Sequence, residues 1–186
     1  SFYGSVGASW NNYLFLDATL RRDASSTLPV ENNTYWYPSL GMSMVLSDAF
    51  NIKGKVLNYA KIRASAAEVG NDTEPYQLKL IYALEQFQPS RGAIGGIASR
   101  TLPNPIRPTR TRSFETGLDI GFLNNRIGFE FTYYTQRSRD QINFTDLPMS
   151  AGYANQILNA GTLTNKGVEM MLSTKPVVGK NFSWDL

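Results

Sequence analysis

Neither cysteine nor histidine occurs among the 186 residues. Their joint absence removes disulfide frameworks, thiolate or imidazole zinc sites, Ser-His-Asp triads and Cys-His pairs. Carboxylate or lysine chemistry is all that remains for catalysis, and the sequence sets no such pair apart. An enzyme is therefore not expected, nor a cofactor or a resident metal. Long hydrophobic runs are missing too. No stretch approaches the ~20 consecutive apolar residues of a membrane-spanning helix, because Asn, Asp, Arg or Gly interrupts every apolar patch. A helical membrane protein is excluded. Charge of one sign is also not dominant, with 18 Lys+Arg against 15 Asp+Glu and a net charge of +3.

What is present is alternation with a period of two, the signature of strands with one apolar face. Leu14, Leu16, Ala18 and Leu20 alternate with Asp17, Thr19 and Arg21. Leu40, Met42, Met44 and Leu46 alternate with Ser39, Gly41 and Ser43. Phe114, Leu118, Ile120 and Phe122 oppose Glu115, Gly117, Asp119 and Gly121, with Thr116 the polar exception on the apolar side. Ile127, Phe129, Phe131 and Tyr133 oppose Gly128, Glu130, Thr132 and Tyr134. Val168, Met170 and Leu172 oppose Gly167, Glu169 and Ser173, and Phe182, Trp184 and Leu186 oppose Ser183 and Asp185. With Phe2 to Trp10 and Tyr59 to Val69, the pattern predicts roughly eight strands, each near the ~10 residues that cross a bilayer when tilted.

A soluble antiparallel sandwich alternates in the same way, so the connections carry the distinction. Short turns are expected at Asn11 and Asn12, at Leu123 to Arg126 and at Pro176 to Asn181, with an intermediate one over Ser47 to Asn58. Long connections are expected over Ala24 to Thr34, Gly70 to Pro108 and Gln141 to Asn165. Alternating short and long connections suit an outer-membrane barrel, with short periplasmic turns and long extracellular loops. Aromatic residues near strand ends, Trp10, Tyr13, Tyr35, Trp36, Tyr37, Phe122 and Phe182, fit interfacial girdles. Following chain direction, Ser1 and Leu186 both fall on the extracellular side, the reverse of an independent bacterial barrel. The expectation is an all-β chain that is one segment of a larger antiparallel transmembrane barrel, with the remaining strands elsewhere in the polypeptide.

Several blocks then resemble a known family. Pro103-Asn104-Pro105-Ile106-Arg107-Pro108, Ser113 to Asp119, Phe122 to Arg126, Phe131-Thr132-Tyr133-Tyr134 and Asn159 to Glu169 are similar to stretches shared by TonB-dependent receptors. Leu20 to Ser26, Tyr37 to Gly41, Lys61 to Ser65 and Val69 to Asp72 resemble the SusC/RagA branch. Arg107, Thr109 and Ala24 depart from the usual Lys, Glu and Gly. The resemblance implies a barrel of about 22 strands with a plugged lumen, whose N-terminal plug lies outside residues 1–186. It implies import of oligosaccharides or oligopeptides across the outer membrane, energised by the TonB complex through the missing N-terminal part, beside a SusD-like lid lipoprotein. A passive porin or an adhesin barrel is the alternative with the same wall.

The alternation directs Arg63, Glu115, Asp119, Glu130 and Glu169 toward the lumen, where they meet plug, substrate or water. Tyr76, Tyr82, Phe87 and Ile94, in the longest connection, are apolar enough to predict contact with a lid or the barrel mouth. Outer-membrane lipid and lipopolysaccharide are expected partners. Arg107, Arg110 and Arg112 could meet phosphates, but the remaining basic charge is scattered, which predicts a solvated loop-to-strand junction and no nucleic-acid partner. Gly92, Gly95 and Gly96 beside Arg91 lack the Lys-Ser/Thr of a phosphate loop. Asn71, Asp72 and Glu74 offer oxygen ligands of the kind calcium uses, yet a polar turn needs no ion.

Overall fold

A computed structural model describes residues 1–52, 54, 56–75, 100–101, 106–153, 155–180 and 182–186. Seven long strands build one sheet: β1 (Phe2–Trp10), β2 (Leu14–Ala24), β3 (Thr34–Val45), β4 (Leu57–Asn71), then, past the two-residue β5 (Arg100–Thr101), β6 (Thr109–Phe122), β7 (Ile127–Arg139) and β10 (Thr162–Thr174). Each pairs antiparallel with its neighbours in the order β1-β2-β3-β4-β6-β7-β10. Two short strands within the β7–β10 connection, β8 (Ile142–Asp146) and β9 (Asn155–Asn159), form a second small sheet with β5.

Register aligns the faces row by row. One row runs Trp10, Leu14, Met44, Ile62, Leu118, Phe131, Met170, and the next Ala8, Leu16, Met42, Ala64, Thr116, Tyr133, Val168. The rows between them on the opposite face read Ser9, Phe15, Ser43, Arg63, Gly117, Thr132, Glu169 and Gly7, Asp17, Gly41, Ser65, Glu115, Tyr134, Gly167. One face is thus apolar across all seven strands and the other polar and small. Thr116 keeps its place on the apolar face by donating its hydroxyl to the Arg63 carbonyl oxygen at 3.1 Å, which removes the penalty of an unpaired polar group.

Among the described residues, nothing forms a protein core behind the apolar face. Val6, Leu40, Met170 and Leu172 are each more than half exposed, and contiguous apolar surface on this scale requires a nonaqueous neighbour. The buried hydrophobic cluster lies instead at the end of the sheet where the long connections emerge. There Leu28, Tyr35, Ile106 and Ile157 pack together, with Tyr37 and Ile142 against them.

Turn chemistry sets the opposite end. Asn11 and Asn12 both have positive φ, the type I′ geometry that suits a tight hairpin, and Tyr13 N–H closes the turn on the Trp10 carbonyl. Leu123, Asn124 and Asn125 also take positive φ between β6 and β7. A single helical turn, α1 (Leu46–Ala49), follows β3.

Three expectations change. The predicted eighth strand, Phe182 to Leu186, does not join the main sheet as a full strand. Its residues form β12 (Ser183–Trp184) against β11 (Val177–Val178), while Leu186 exchanges two backbone hydrogen bonds with Thr174. Pro176, which lacks an N–H donor, stands between β10 and β11 and interrupts the ladder. The strict alternation of connection length also fails once. The β2–β3 connection, residues 25–33, is shorter than the β3–β4 connection, residues 46–56, because the latter holds α1. Finally, Tyr35 and Tyr37 do not belong to a lipid-facing girdle. Successive residues alternate sides, so Trp36 keeps the apolar face, 55% exposed, while the two tyrosines turn into the buried cluster.

Candidate functional site on the polar face

Arg63 is central to the polar face. It leaves β4 and crosses β6 at Gly117, where a Cβ would collide with its Nε and lie 2.9 Å from its Cγ. Only glycine leaves this passage open. The guanidinium then donates from Nη2 to the Thr132 hydroxyl on β7 at 2.8 Å. Its Nε faces the Asp119 carboxylate at 3.7 Å, and its Nη1 faces Glu115 at 3.9 Å. Neither Arg63 Nε nor Asp119 Oδ1 has a hydrogen-bond partner among the described residues, so the two are held as a charge pair rather than a bonded one. Both side chains are partly exposed, so such a pair contributes at most about 1 kcal/mol; the bond to Thr132 is the firmer tie.

The same face carries the other predicted residues. Glu130 lies directly across from Asp119 in the β6–β7 register, and Lys61 lies across from Asp119 on β4. Glu169 lies across from Thr132. The five acidic or basic residues that alternation points to therefore share one face, with Glu115 and Asp119 both facing Arg63. A second long side chain uses the same device: the Tyr134 ring lies over Gly167, within 2.7 Å of where a Cβ would stand.

Toward the long connections, the polar face ends in an aromatic and ionic rim. Arg21 pairs with Asp23 at 2.8 Å and stacks over the Tyr37 ring at 4.6 Å. Tyr37 meets Tyr35 edge to face at 5.2 Å and donates its hydroxyl to the Gly70 carbonyl oxygen at 3.1 Å. These ties, with Leu28, Ile106 and Ile157, dock loop segments onto the rim. Asp72 accepts hydrogen bonds from the Ser25 and Thr27 hydroxyls, so its oxygens serve to join two loops. Asn159 clamps the Arg107 backbone from both sides, accepting its N–H at 2.8 Å and donating to its carbonyl at 2.7 Å.

Leu28, Ile106, Ile157 and the Arg21–Tyr37 stack were not singled out in the sequence. Arg107, Arg110 and Arg112 are not one solvated cluster: Arg107 sits in the clamped loop, while Arg110 and Arg112 lie on β6 and both pair with Glu68 at 3.8 and 2.7 Å. Tyr76, Tyr82, Phe87 and Ile94 lie outside the described residues, as do Arg91, Gly92, Gly95 and Gly96.

Strands of this length, apolar on one side and charged on the other, define the wall of an outer-membrane barrel. Residues 1–186 match the family described as TonB dependent receptor-like, beta-barrel, and the chain belongs to that family. It is 28% identical over 192 residues to TonB-dependent receptor P26 of Formosa agariphila, covering 99% of this chain and 19% of that protein. It is 27% identical over 196 residues to TonB-dependent receptor SusC of Bacteroides thetaiotaomicron, covering 100% and 19%. Among solved structures, the RagAB peptide transporter superposes with a TM-score of 0.85 at 22% identity over 96% of this chain and 20% of that one. The siderophore receptor PirA from Pseudomonas aeruginosa superposes at 0.63 with 18% identity, over 98% and 32%. The chain spans about a fifth of the length of the curated relatives it matches. It is outer-membrane barrel wall, and its relatives are receptors and transporters rather than members of enzyme families.

Proposed function

We propose that this chain is the wall segment of an active importer, in which the polar face lines a lumen closed by a plug and the apolar face meets lipid. The match of residues 1–186 to the TonB-dependent receptor barrel family is the observation that carries import over a passive pore, and the pairing of an exposed apolar face with a charged face braced by Arg63, Glu115 and Asp119 supports the wall. A wall facing water on one side and hydrocarbon on the other needs that division. Among the described residues the outer edge of β1 is unpaired, as is that of β10 apart from the Thr174–Leu186 bonds; both edges support further strands in the same barrel, since open edges are not tolerated in hydrocarbon. The cargo we assign is an oligosaccharide or oligopeptide, energised by TonB acting on a plug outside this segment. A SusD-like lipoprotein covers the mouth, and the 72–108 connection reaches it through Tyr76, Tyr82, Phe87 and Ile94. No chemical step on the cargo belongs to this wall.

The test is uptake of candidate oligosaccharides and oligopeptides by cells producing the full-length protein, with and without a functional TonB complex, and with residues 77–98 replaced by a short Gly-Ser linker. Uptake should require TonB, and the linker variant should assemble yet release the lipoprotein in pull-down. Equal uptake without TonB would show a passive pore. A linker variant that retains the lipoprotein would remove the loop from the contact.

A further inference from the structure

On the apolar face of β6 and β7, the hydrophobic rows stop abruptly. From Phe122 to Phe114 the β6 residues on that face span eight residue steps, about 27 Å of strand; tilted by about 40°, this covers about 21 Å, most of the ~25 Å apolar band of an outer-membrane barrel. The next two positions on β6 are Arg112 and Arg110. The register places Arg137 directly opposite Arg112 and Arg139 directly opposite Arg110, all on the same face. Lys166, on the neighbouring strand β10, follows Val168 on that face, opposite Thr135.

Two consecutive cross-strand pairs of like charge are destabilising by themselves. Glu68 is the acid in contact, and it is taken by Arg110 and Arg112. No ion pair joins Arg137, Arg139 or Lys166 to an acid among the described residues. Arg110 and Arg112 remain 59% and 68% exposed even while paired, so their remaining donors are open to a ligand. Five cations against one carboxylate, on the lipid-facing side, at the long-connection edge of the apolar band, need anions at head-group depth.

We propose that Arg110, Arg112, Arg137, Arg139 and Lys166 form a binding site for the phosphate of a lipid A headgroup in the outer leaflet, with its acyl chains lying along Phe114, Thr116, Tyr133 and Val168 below. Guanidinium groups suit the site because their planar forks bind phosphate oxygens through two parallel hydrogen bonds. The strand register fixes the spacing, since opposed Cβ atoms in such pairs stand about 5 Å apart. The site rests on the outer-membrane orientation of the wall and is independent of the transported cargo.

The test is native mass spectrometry of the full-length protein in detergent, titrated with purified lipid A, with lipid A stripped of phosphate, and with inorganic phosphate. The wild type should retain lipid A and lose at least tenfold of that retention when the phosphate is removed. Arg112→Gln/Arg137→Gln should lose a similar factor, Arg112→Lys/Arg137→Lys, which keeps the charge without the fork, should lose less than the Gln pair, and Arg126→Gln, a charge removed at the opposite end, should change nothing. Heat-modifiable gel mobility reports whether each variant closes its barrel; if the double Gln variant does not, the two lipid forms on the wild type decide. Equal retention of phosphorylated and stripped lipid A would overturn the site, as would full retention by a closed double Gln barrel or inorganic phosphate matching lipid A. Cargo uptake is measured separately, so loss of lipid A with unchanged import separates this site from the transport proposal.

Discussion

An arginine at Leu118 would test which side of the wall meets hydrocarbon. Leu118 stands between Ile62 and Phe131 in the row from Trp10 to Met170. It is about 20 Å of strand from Arg112 and about 14 Å from Phe122. Both spans exceed an arginine side chain, so Leu118→Arg cannot place its charge in either head-group layer by snorkelling. Arginine at the midplane of a lipid face costs ~2–4 kcal/mol, and stacking against Phe131 offsets about 0.5–1 kcal/mol of it. The remainder, roughly 1–3.5 kcal/mol, shifts the folding equilibrium by about 5- to 300-fold. The matched control is Ser65→Arg, which lies on the opposite face directly across from Glu115 and Gly41 and should change stability by no more than about 0.5 kcal/mol. Asp119 is unsuitable as a control, because a cation there would confront Arg63. Urea titration of the full-length protein in lipid vesicles, followed by heat-modifiable mobility, gives both midpoints. Equal midpoints and equal barrel yields for the two variants would refute the assignment of faces.

Gly117→Ala should destabilise by about 1–3 kcal/mol, because Arg63 must leave its path across β6. In an Arg63→Ala background the same change should cost less than about 0.5 kcal/mol, and simple additivity in this double-mutant cycle would show that Arg63 does not lie across Gly117. Ile157→Ala removes the most buried side chain of the rim cluster at about 2–5 kcal/mol of local stability. Limited proteolysis within residues 140–161 should accelerate while the barrel remains closed; loss of the barrel itself would show that the rim cluster supports the wall.

The long strands and their faces were legible because the period of two is written in side chains that lipid and water sort independently of any partner. Arg63, Glu115 and Asp119 could be placed on one side for the same reason. Their mutual contact could not, since it depends on register, and a one-residue slip would have separated them. The opposed arginines on β6 and β7 were hidden likewise: Arg112 and Arg137 are 25 positions apart, and only the four-residue turn at 123–126 brings them level. Strands β8 and β9 were missed because Asn155 to Asn159 shows no clear alternation and is held by the loop environment. The rim cluster was missed because Leu28, Ile106 and Ile157 come from three separate connections, and no periodicity links them.

The hairpin-by-hairpin order of the main sheet carries a consequence for how such walls diverge. Among the described residues no long strand pairs outside its chain neighbours, apart from skipping the small loop strands. Lengthening a connection from the 4 residues between β6 and β7 to the 37 between β4 and β6 adds only about 2 kcal/mol of closure entropy. Segments 25–33, 72–108 and 140–161 are thus seams at which sequence can be inserted, exchanged or lost without re-registering the strands between them. Recognition of new molecules outside the cell can evolve at these seams at small thermodynamic cost, whereas a single insertion within β6 would turn every residue beyond it to the wrong side of the membrane wall.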